Sequence, residues 1–229
     1  WYDLGNGSFV HSEVREIGGS AYRFDANGYM VTGWYGVNGA WEYYGTSGAQ
    51  ARSWVQVGSS WYYLDPETGI MRTGWQNVGG TWYFLDASGA MATGWVSQGG
   101  AWYYMDANGA MLTGWNTVRG SWYYFRSSGE MVTGWLNLGG TWYYLNGSGA
   151  MVTGMQWIGS ERHWFYDSGA WWGLYPEPSR GGGSGNARTF NNCTEAWNAG
   201  AAPLRRGDPG YSADLDRDGD GVACEVRPR

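Results

Sequence analysis

Two kinds of residue in this sequence are spaced so that they could do chemistry. The first is tryptophan. It follows Thr-Gly at Trp34, Trp75, Trp95, Trp115 and Trp135, with Trp54 after Arg52-Ser53 as a variant. A second Trp opens an aromatic triplet at Trp61, Trp82, Trp102, Trp122 and Trp142, with Trp41-Glu42-Tyr43-Tyr44 as its variant. The face of an indole is the negative end of a ring quadrupole, so several rings held together attract a cation without offering a counter-charge. The second kind is aspartate. Asp216-Arg217-Asp218-Gly219-Asp220-Gly221 puts carboxylates at alternate positions ahead of a glycine, which is the front half of a calcium-binding EF-hand loop. The position that should carry a bidentate Glu is Arg227, while Glu225 stands two residues earlier. This is not a plain EF-hand. The residues alone leave a calcium loop of another kind and a solvated acidic turn both open.

The elements that must position the Trp residues repeat in steps of twenty, with one extra residue around Asp65-Pro66-Glu67-Thr68-Gly69. Each unit runs Thr-Gly-Trp, a glycine, Trp-Tyr-Tyr-Leu-Asp, a Ser-Gly or Asn-Gly turn, then Ala-Met. Short aromatic stretches separated by Gly79-Gly80 or Gly139-Gly140 predict hairpins, and Ser88-Gly89 or Asn108-Gly109 turn the chain into the next one. A hairpin of this size is not stable alone in water, but stacked hairpins bury their aromatic faces on one another. The leucine positions of a leucine-rich repeat are missing. The expected fold is all-β: a solenoid of stacked β-hairpins over residues 1–175, then a small module. Pro176-Glu177-Pro178 and Arg180-Gly181-Gly182-Gly183-Ser184-Gly185 read as a flexible linker, 176–189. An acidic module with Cys193 and Cys224 fills 190–229. The chain opens in mid-pattern at Trp1-Tyr2-Asp3-Leu4, as expected of a piece of a longer precursor.

Composition narrows the function. With 18 Trp, 18 Tyr and 41 Gly against 15% charged residues, an ordinary aliphatic core is not on offer. All 14 basic residues are Arg, which removes Schiff-base lysines and P-loops. A net charge of −6 favours cationic partners over phosphate backbones, so no nucleic acid is expected. No apolar run approaches the roughly 18 residues of a membrane span. The two histidines, His11 and His163, sit in atypical units without an apparent Ser or Cys nucleophile. Asp86 and Asp106 read as turn formers. No enzyme is expected.

The Trp stripes have a plain reading as core packing. Against it, Trp is a poor generic core residue, because it is large and its N–H needs a partner. Alternation along a strand puts Trp82 and Phe84 on one face and Tyr83 on the other. Trp75 and Trp82 then form two walls facing the next hairpin, whose Tyr103 supplies a third. In the second unit the three corresponding positions are Val14, Ala21 and Glu42, all lost together. Joint loss suits three residues serving one ligand. A trimethylammonium group donates no ordinary hydrogen bond and prefers ring faces, at about 0.5–2 kcal/mol per ring.

The pattern Gly-Trp, Gly-x-Trp-Tyr-Tyr, Gly-x-Met-x-Thr-Gly-Trp resembles the choline-binding repeats of streptococcal and related Gram-positive surface proteins and lytic enzymes. The resemblance covers about three-quarters of the chain. It implies cages of two Trp from one hairpin and an aromatic of the next, clamping choline or phosphocholine of teichoic or lipoteichoic acid. Position by position these are Trp34/Trp41/Tyr62, Trp54/Trp61/Tyr83, Trp75/Trp82/Tyr103, Trp95/Trp102/Tyr123 and Trp115/Trp122/Tyr143. A sixth, Trp135/Trp142, meets His163 and should be weaker or empty. Met155 and Arg162 replace both Trp in the last unit, which reads as a cap. Met71, Met91, Met111, Met131 and Met151 are expected to pack between hairpins rather than touch ligand. A glucan-binding repeat is the carbohydrate-class alternative, and a wall-targeting fragment of a larger hydrolase or nuclease is the other.

The block from Asn192-Cys193 through Gly207-Asp208-Pro209-Gly210-Tyr211 to Cys224-Glu225 resembles the Excalibur family of extracellular calcium-binding modules. By that likeness Asp216, Asp218, Asp220 and Glu225 ligate Ca2+, Asp214 is an accessory, and Cys193 pairs with Cys224. A module of about forty residues needs such staples. The expected place is outside the cell, on the Gram-positive wall, as a secreted protein held there without catalysis.

Overall fold

The computed structural model describes residues 2–3, 5, 8–174, 189–199, 201–208 and 210–225. The segment read as a linker lies almost wholly outside the described residues. The described chain is 48% strand and 3% helix. Its repeats fold as hairpins: β1 (Val14–Ile17) with β2 (Ser20–Arg23), β3 (Gly33–Val37) with β4 (Ala40–Tyr44), and β5 (Ser53–Val57) with β6 (Ser60–Leu64). Next come β7 (Gly74–Val78) with β8 (Thr81–Leu85), β9 (Gly94–Gln98) with β10 (Ala101–Met105), and β11 (Gly114–Val118) with β12 (Ser121–Phe125). Last are β13 (Gly134–Leu138) with β14 (Thr141–Leu145), and a three-stranded sheet of β15 (Gly154–Ile158), β16 (Glu161–Phe165) and β17 (Trp171–Leu174). Stacked hairpins rather than one continuous sheet are what the twenty-residue step demands.

Local chemistry explains the hairpins. Val78 and Thr81 pair across Gly79 and Gly80, both at positive φ (61° and 86°), a turn that matches strand twist and that glycine adopts without steric cost. At the other end of each unit, Asp106 Oδ1 accepts from the N–H of Asn108 (2.8 Å) and Ala110 (2.9 Å). Asp86 accepts from Ser88 and Ala90 in the same way, so both aspartates are turn formers.

The contacts group into two compact units, residues 1–134 with 145–150, and 135–144 with 151–229. In the first unit the core is a column with one residue per hairpin: Phe24, Tyr44, Leu64, Leu85, Met105, Phe125 and Leu145, all 0–3% exposed. Successive hairpins are tied by backbone bonds, Met71 N–H to Trp41 C=O, Met91 to Trp61, Met111 to Trp82 and Met131 to Trp102, at 2.7–2.9 Å. A nearest-neighbour array of this kind needs no long-range topology.

The second unit holds the last repeats and the C-terminal module. Asn192 caps the helix α1 (Cys193–Asn198), accepting from Glu195 N–H at 2.9 Å. Two short strands, β18 (Leu204–Arg205) and β19 (Val222–Ala223), pair antiparallel. Ala196, Ala202, Leu204, Ala223 and Cys224 form a small core, stapled by Cys193–Cys224 at a Cα–Cα distance of 5.1 Å. Within this unit the module meets the last repeat through Trp172 and Trp197 rings 4.8 Å apart. Arg205 also lies over the Trp164 ring at 4.4 Å. Among the described residues no helix is long and apolar enough to cross a membrane.

Candidate functional site

Each cage starts from strand register. Trp75 stands directly opposite Phe84, and Asn77 opposite Trp82, so Trp75 reaches Trp82 along the diagonal. Their rings sit 6.4 Å apart at 84°, a right-angled corner. The third wall is Tyr103, whose ring lies 4.7 Å from Trp75 at 65°. Trp95 repeats the corner with Trp102 (6.2 Å, 86°) and meets Tyr123 at 5.0 Å. Trp34 meets Tyr62, and Trp54 meets Tyr83, each at 4.8 Å. The trios read from the repeat are thus brought together in the first four cages. Trp115 and Trp122 form the same corner (6.4 Å, 85°); Tyr143 belongs to the second compact unit.

Two of these clusters enclose open space. A cleft of about 300 Å³ is lined by Trp34, Trp41, Tyr62, Met71, Ala87 and Ser88. Another of about 360 Å³ is lined by Trp54, Trp61, Tyr83, Met91, Ala107 and Asn108. None of these residues is charged, and the size suits a small ligand. The second Trp of each pair stays open to solvent: Trp41, Trp61, Trp82, Trp102, Trp122 and Trp142 are 41–49% exposed. The methionines do both jobs. Met71 and Met91 line the clefts, and the Met71 thioether also covers Gly89, where a Cβ would meet its Sδ.

Where the repeat loses its cage, charge takes over. Ala21 is buried, and Glu42, 7% exposed, accepts from Arg23 Nε at 3.0 Å and pairs with its Nη2 at 2.9 Å. Tyr44 O–H donates to the same carboxylate at 2.8 Å, and the Arg23 guanidinium lies 5.0 Å over the Tyr35 ring. Burial, then the bond to Glu42, pushes the Tyr44 phenol up to about 12. The chain supplies its own cation here, and no aromatic box is left.

Trp135 and Trp142 keep the corner (6.2 Å, 84°), and His163 takes the Tyr place at 5.1 Å and 66° from Trp135. Trp171 joins them, 5.5 Å from Trp135. Sequence reading missed this fourth ring, although Trp171 falls in the twenty-residue step of Met91, Met111, Met131 and Met151. In the last hairpin Met155 is exposed, and Arg162 lies over Trp157 at 5.6 Å.

In the module, oxygens of Asp216, Asp218 and Asp220 converge within 4.8 Å of one another. Asp216 organises the loop: Oδ2 accepts from Tyr211 O–H (2.6 Å) and Gly221 N–H (3.0 Å), and Oδ1 from Gly219 N–H (3.0 Å). The Tyr211 bond leads in holding its carboxyl below the usual range. Glu225 is pushed up, first by burial, then by Asp220, Asp218 and Asp167. Hard oxygen donors crowded this way fit Ca2+. Asp214 is exposed and outside the converging trio.

This fold and these aromatic clusters define a choline-binding module of the cell surface. The choline-binding repeat model matches residues 11–53, 31–73, 72–113 and 112–153, and the chain belongs to that family. An Excalibur calcium-binding domain model matches residues 190–225. No curated protein matches the chain. Among solved structures, CbpJ from Streptococcus pneumoniae TIGR4 is 46% identical, with a TM-score of 0.65, over 66% of this chain and 56% of that one. Choline binding protein F from Streptococcus pneumoniae is 46% identical, with a TM-score of 0.62, over 66% and 55%. It is also known in complex with ipratropium, at 42% identity, a TM-score of 0.59, and 66% and 57% coverage. The chain therefore spans a little over half the length of these relatives.

Proposed function

We propose that the chain attaches to the Gram-positive cell wall by taking choline of teichoic or lipoteichoic acid into the cages between successive hairpins. The observation that carries this is the solvent-open second Trp of six repeats, two of which, Trp41 and Trp61, line uncharged clefts. The family supports the ligand, and the CbpF complex with ipratropium supports a small-molecule site in such a solenoid.

One cage takes few ligand atoms and binds in the millimolar range. Several cages along a choline-bearing polymer raise the apparent affinity by about 10²–10⁴ through effective concentration. The cages work as one array, and their number sets retention. Trp34/Trp41/Tyr62, Trp54/Trp61/Tyr83, Trp75/Trp82/Tyr103 and Trp95/Trp102/Tyr123 are the sites we assign, and the Trp115/Trp122 corner offers a fifth pair.

The C-terminal module takes Ca2+ through Asp216, Asp218, Asp220 and Glu225. The ion supplies the positive charge that this crowded set of carboxylates lacks. Residues 1–175 act as the anchor, 176–189 as the connection and 190–229 as the calcium module. The chain is a binding module and works without a catalytic group of its own. The deciding experiment is elution: the protein should bind a choline or tertiary-amine resin, leave it in free choline, and pass through dextran unretained. Retention on dextran with indifference to choline would favour a glucan-binding role instead.

A further inference from the structure

The cage at Trp135 and Trp142 differs from its predecessors in two walls. His163 replaces Tyr, yet holds the pose that Tyr103 takes on Trp75: 5.1 Å and 66° against 4.7 Å and 65°. Trp171, carried in by the added strand β17, stands where other cages have Met, with its ring 6.0 Å from His163. The Trp171 Nε1–H donates to His163 Nδ1 at 3.2 Å. An indole nitrogen can only donate, so Nδ1 must be the acceptor, and the proton of the neutral imidazole sits on Nε2. His163 is 6% exposed, so no solvent stands by to screen a charge formed there.

We propose that His163, positioned by Trp171, makes this cage a proton-gated site for a quaternary ammonium ligand, open when the imidazole is neutral and closed when it is charged. The proposal rests on the reading of the cages as choline sites. A second proton can enter only at Nδ1, because Nε2 already holds one. It breaks the bond from Trp171 and turns one wall from a ring face into a cation, in a ring whose centroid lies 5.1 Å from that of Trp135. Two like charges at that range lower occupancy by about tenfold to a hundredfold. The cages walled by Tyr have no such group.

Few charged groups surround His163 among the described residues. Glu161, on the same strand, places Oε2 3.7 Å from Nε2. Gln156 opposite on β15 and Leu174 opposite on β17 carry no charge. Trp135 and Trp142 are neutral. The Arg162 and Arg205 guanidinium groups lie over the rings of Trp157 and Trp164. His163 therefore answers to one carboxylate, one indole donor and the ligand.

The test uses the whole chain, whose only histidines are His11 and His163. Imidazole resonances are followed by NMR from about pH 8 to about pH 5, the range in which a histidine changes charge, without choline and with saturating choline. Linkage is reciprocal, so choline should move the His163 midpoint down by one pH unit or more and leave His11 unmoved. Trp171→Phe should move the choline-free midpoint upward, because the bond that favours the neutral ring is gone. Calorimetry should count one fewer choline per chain at the acid end, and His163→Tyr should abolish that difference. An unmoved His163 midpoint, with choline still bound elsewhere, overturns the gate alone. Absence of choline heat at every pH overturns the cage reading and the gate with it.

Discussion

Trp41 gives its backbone carbonyl to the N–H of Met71 at 2.7 Å, and the side chains of both residues line one cleft. The bond that couples one hairpin to the stack therefore also fixes two walls of a cage. The same tie joins Trp61 to Met91, Trp82 to Met111 and Trp102 to Met131. Packing and binding are one construction here, and the two Trp of a pair divide the work. The first Trp is clasped by aromatics on two sides, as Trp75 is by Phe84 and Tyr103, while the second leaves nearly half its surface to solvent.

That division is testable by truncation. Trp82→Ala removes an open wall and should weaken choline binding at its cage at least tenfold while costing less than about 1 kcal/mol of stability, as surface changes do. Trp75→Ala removes a clasped ring and should cost about 2–4 kcal/mol. Calorimetric choline titration and thermal melts of both variants check the contrast. Equal stability losses would mean that Trp82 is only packing.

The second prediction concerns Ser53. It stands at φ 65° where other units have the glycine of Thr-Gly-Trp, for example Gly74 at 70°. A left-handed conformation costs an L-residue about 1–2 kcal/mol and glycine far less. Ser53→Gly should therefore raise the melting free energy by about 1 kcal/mol without changing choline binding. Denaturant melts at matched choline concentration measure it.

The hairpins, their stacking and the grouping of the first four aromatic trios could be read from the sequence because period, turn glycines and strand alternation all pointed the same way. What escaped that reading had left the period. Arg23 and Tyr44 attracted no notice, since only the loss of Val14, Ala21 and Glu42 from the aromatic pattern was visible, not the ion pair that replaced it. Trp171 was hidden differently. It follows the methionine step, and where other repeats make a single bridge at that place, as Leu85 with Met91 and Phe125 with Met131, β17 continues along β16 as far as His163. In the module, the family likeness implied four calcium ligands and Asp214 as an accessory; side-chain geometry brings three carboxylates together, with Glu225 near them and Asp214 apart.

Glu42 carries the third prediction. Glu42→Gln leaves the Arg23 charge with its carboxylate partner gone, and should destabilise the chain by about 2–4 kcal/mol. The neighbouring Tyr44 adds a pH signature. Its folded value, about 12, lies above the ordinary phenol value of about 10. The stability this group contributes is thus complete below about pH 10 and is lost as pH rises toward 12. Tyr44→Phe lacks the titrating group, so it should lose less stability than the parent between those limits. Melts across that window compare the two directly.

The last prediction separates the staples of the C-terminal module. Cys193–Cys224 spans 31 residues around a small apolar core of Ala196, Ala202, Leu204, Ala223 and Cys224. In the loop-entropy view such a closure contributes roughly 3–4 kcal/mol, a large share of what so small a core can supply. Cys193→Ser with Cys224→Ser should melt residues 190–225 while leaving the hairpins folded, because nearest-neighbour stacks keep their own stability. The Trp197 indole would report it, since its N–H donates to the Cys224 carbonyl at 2.9 Å and its ring meets Trp172. Calcium should act on the same module independently. With the disulfide intact, Ca2+ binding in the 10⁻⁴–10⁻³ M range typical of extracellular modules should raise its melting temperature. Asp218→Asn with Asp220→Asn should abolish that rise and leave the metal-free melting temperature unchanged or higher, since removing mutually repelling carboxylates cannot weaken the apo loop through charge. A calcium response that survives the double variant would move the site away from this loop.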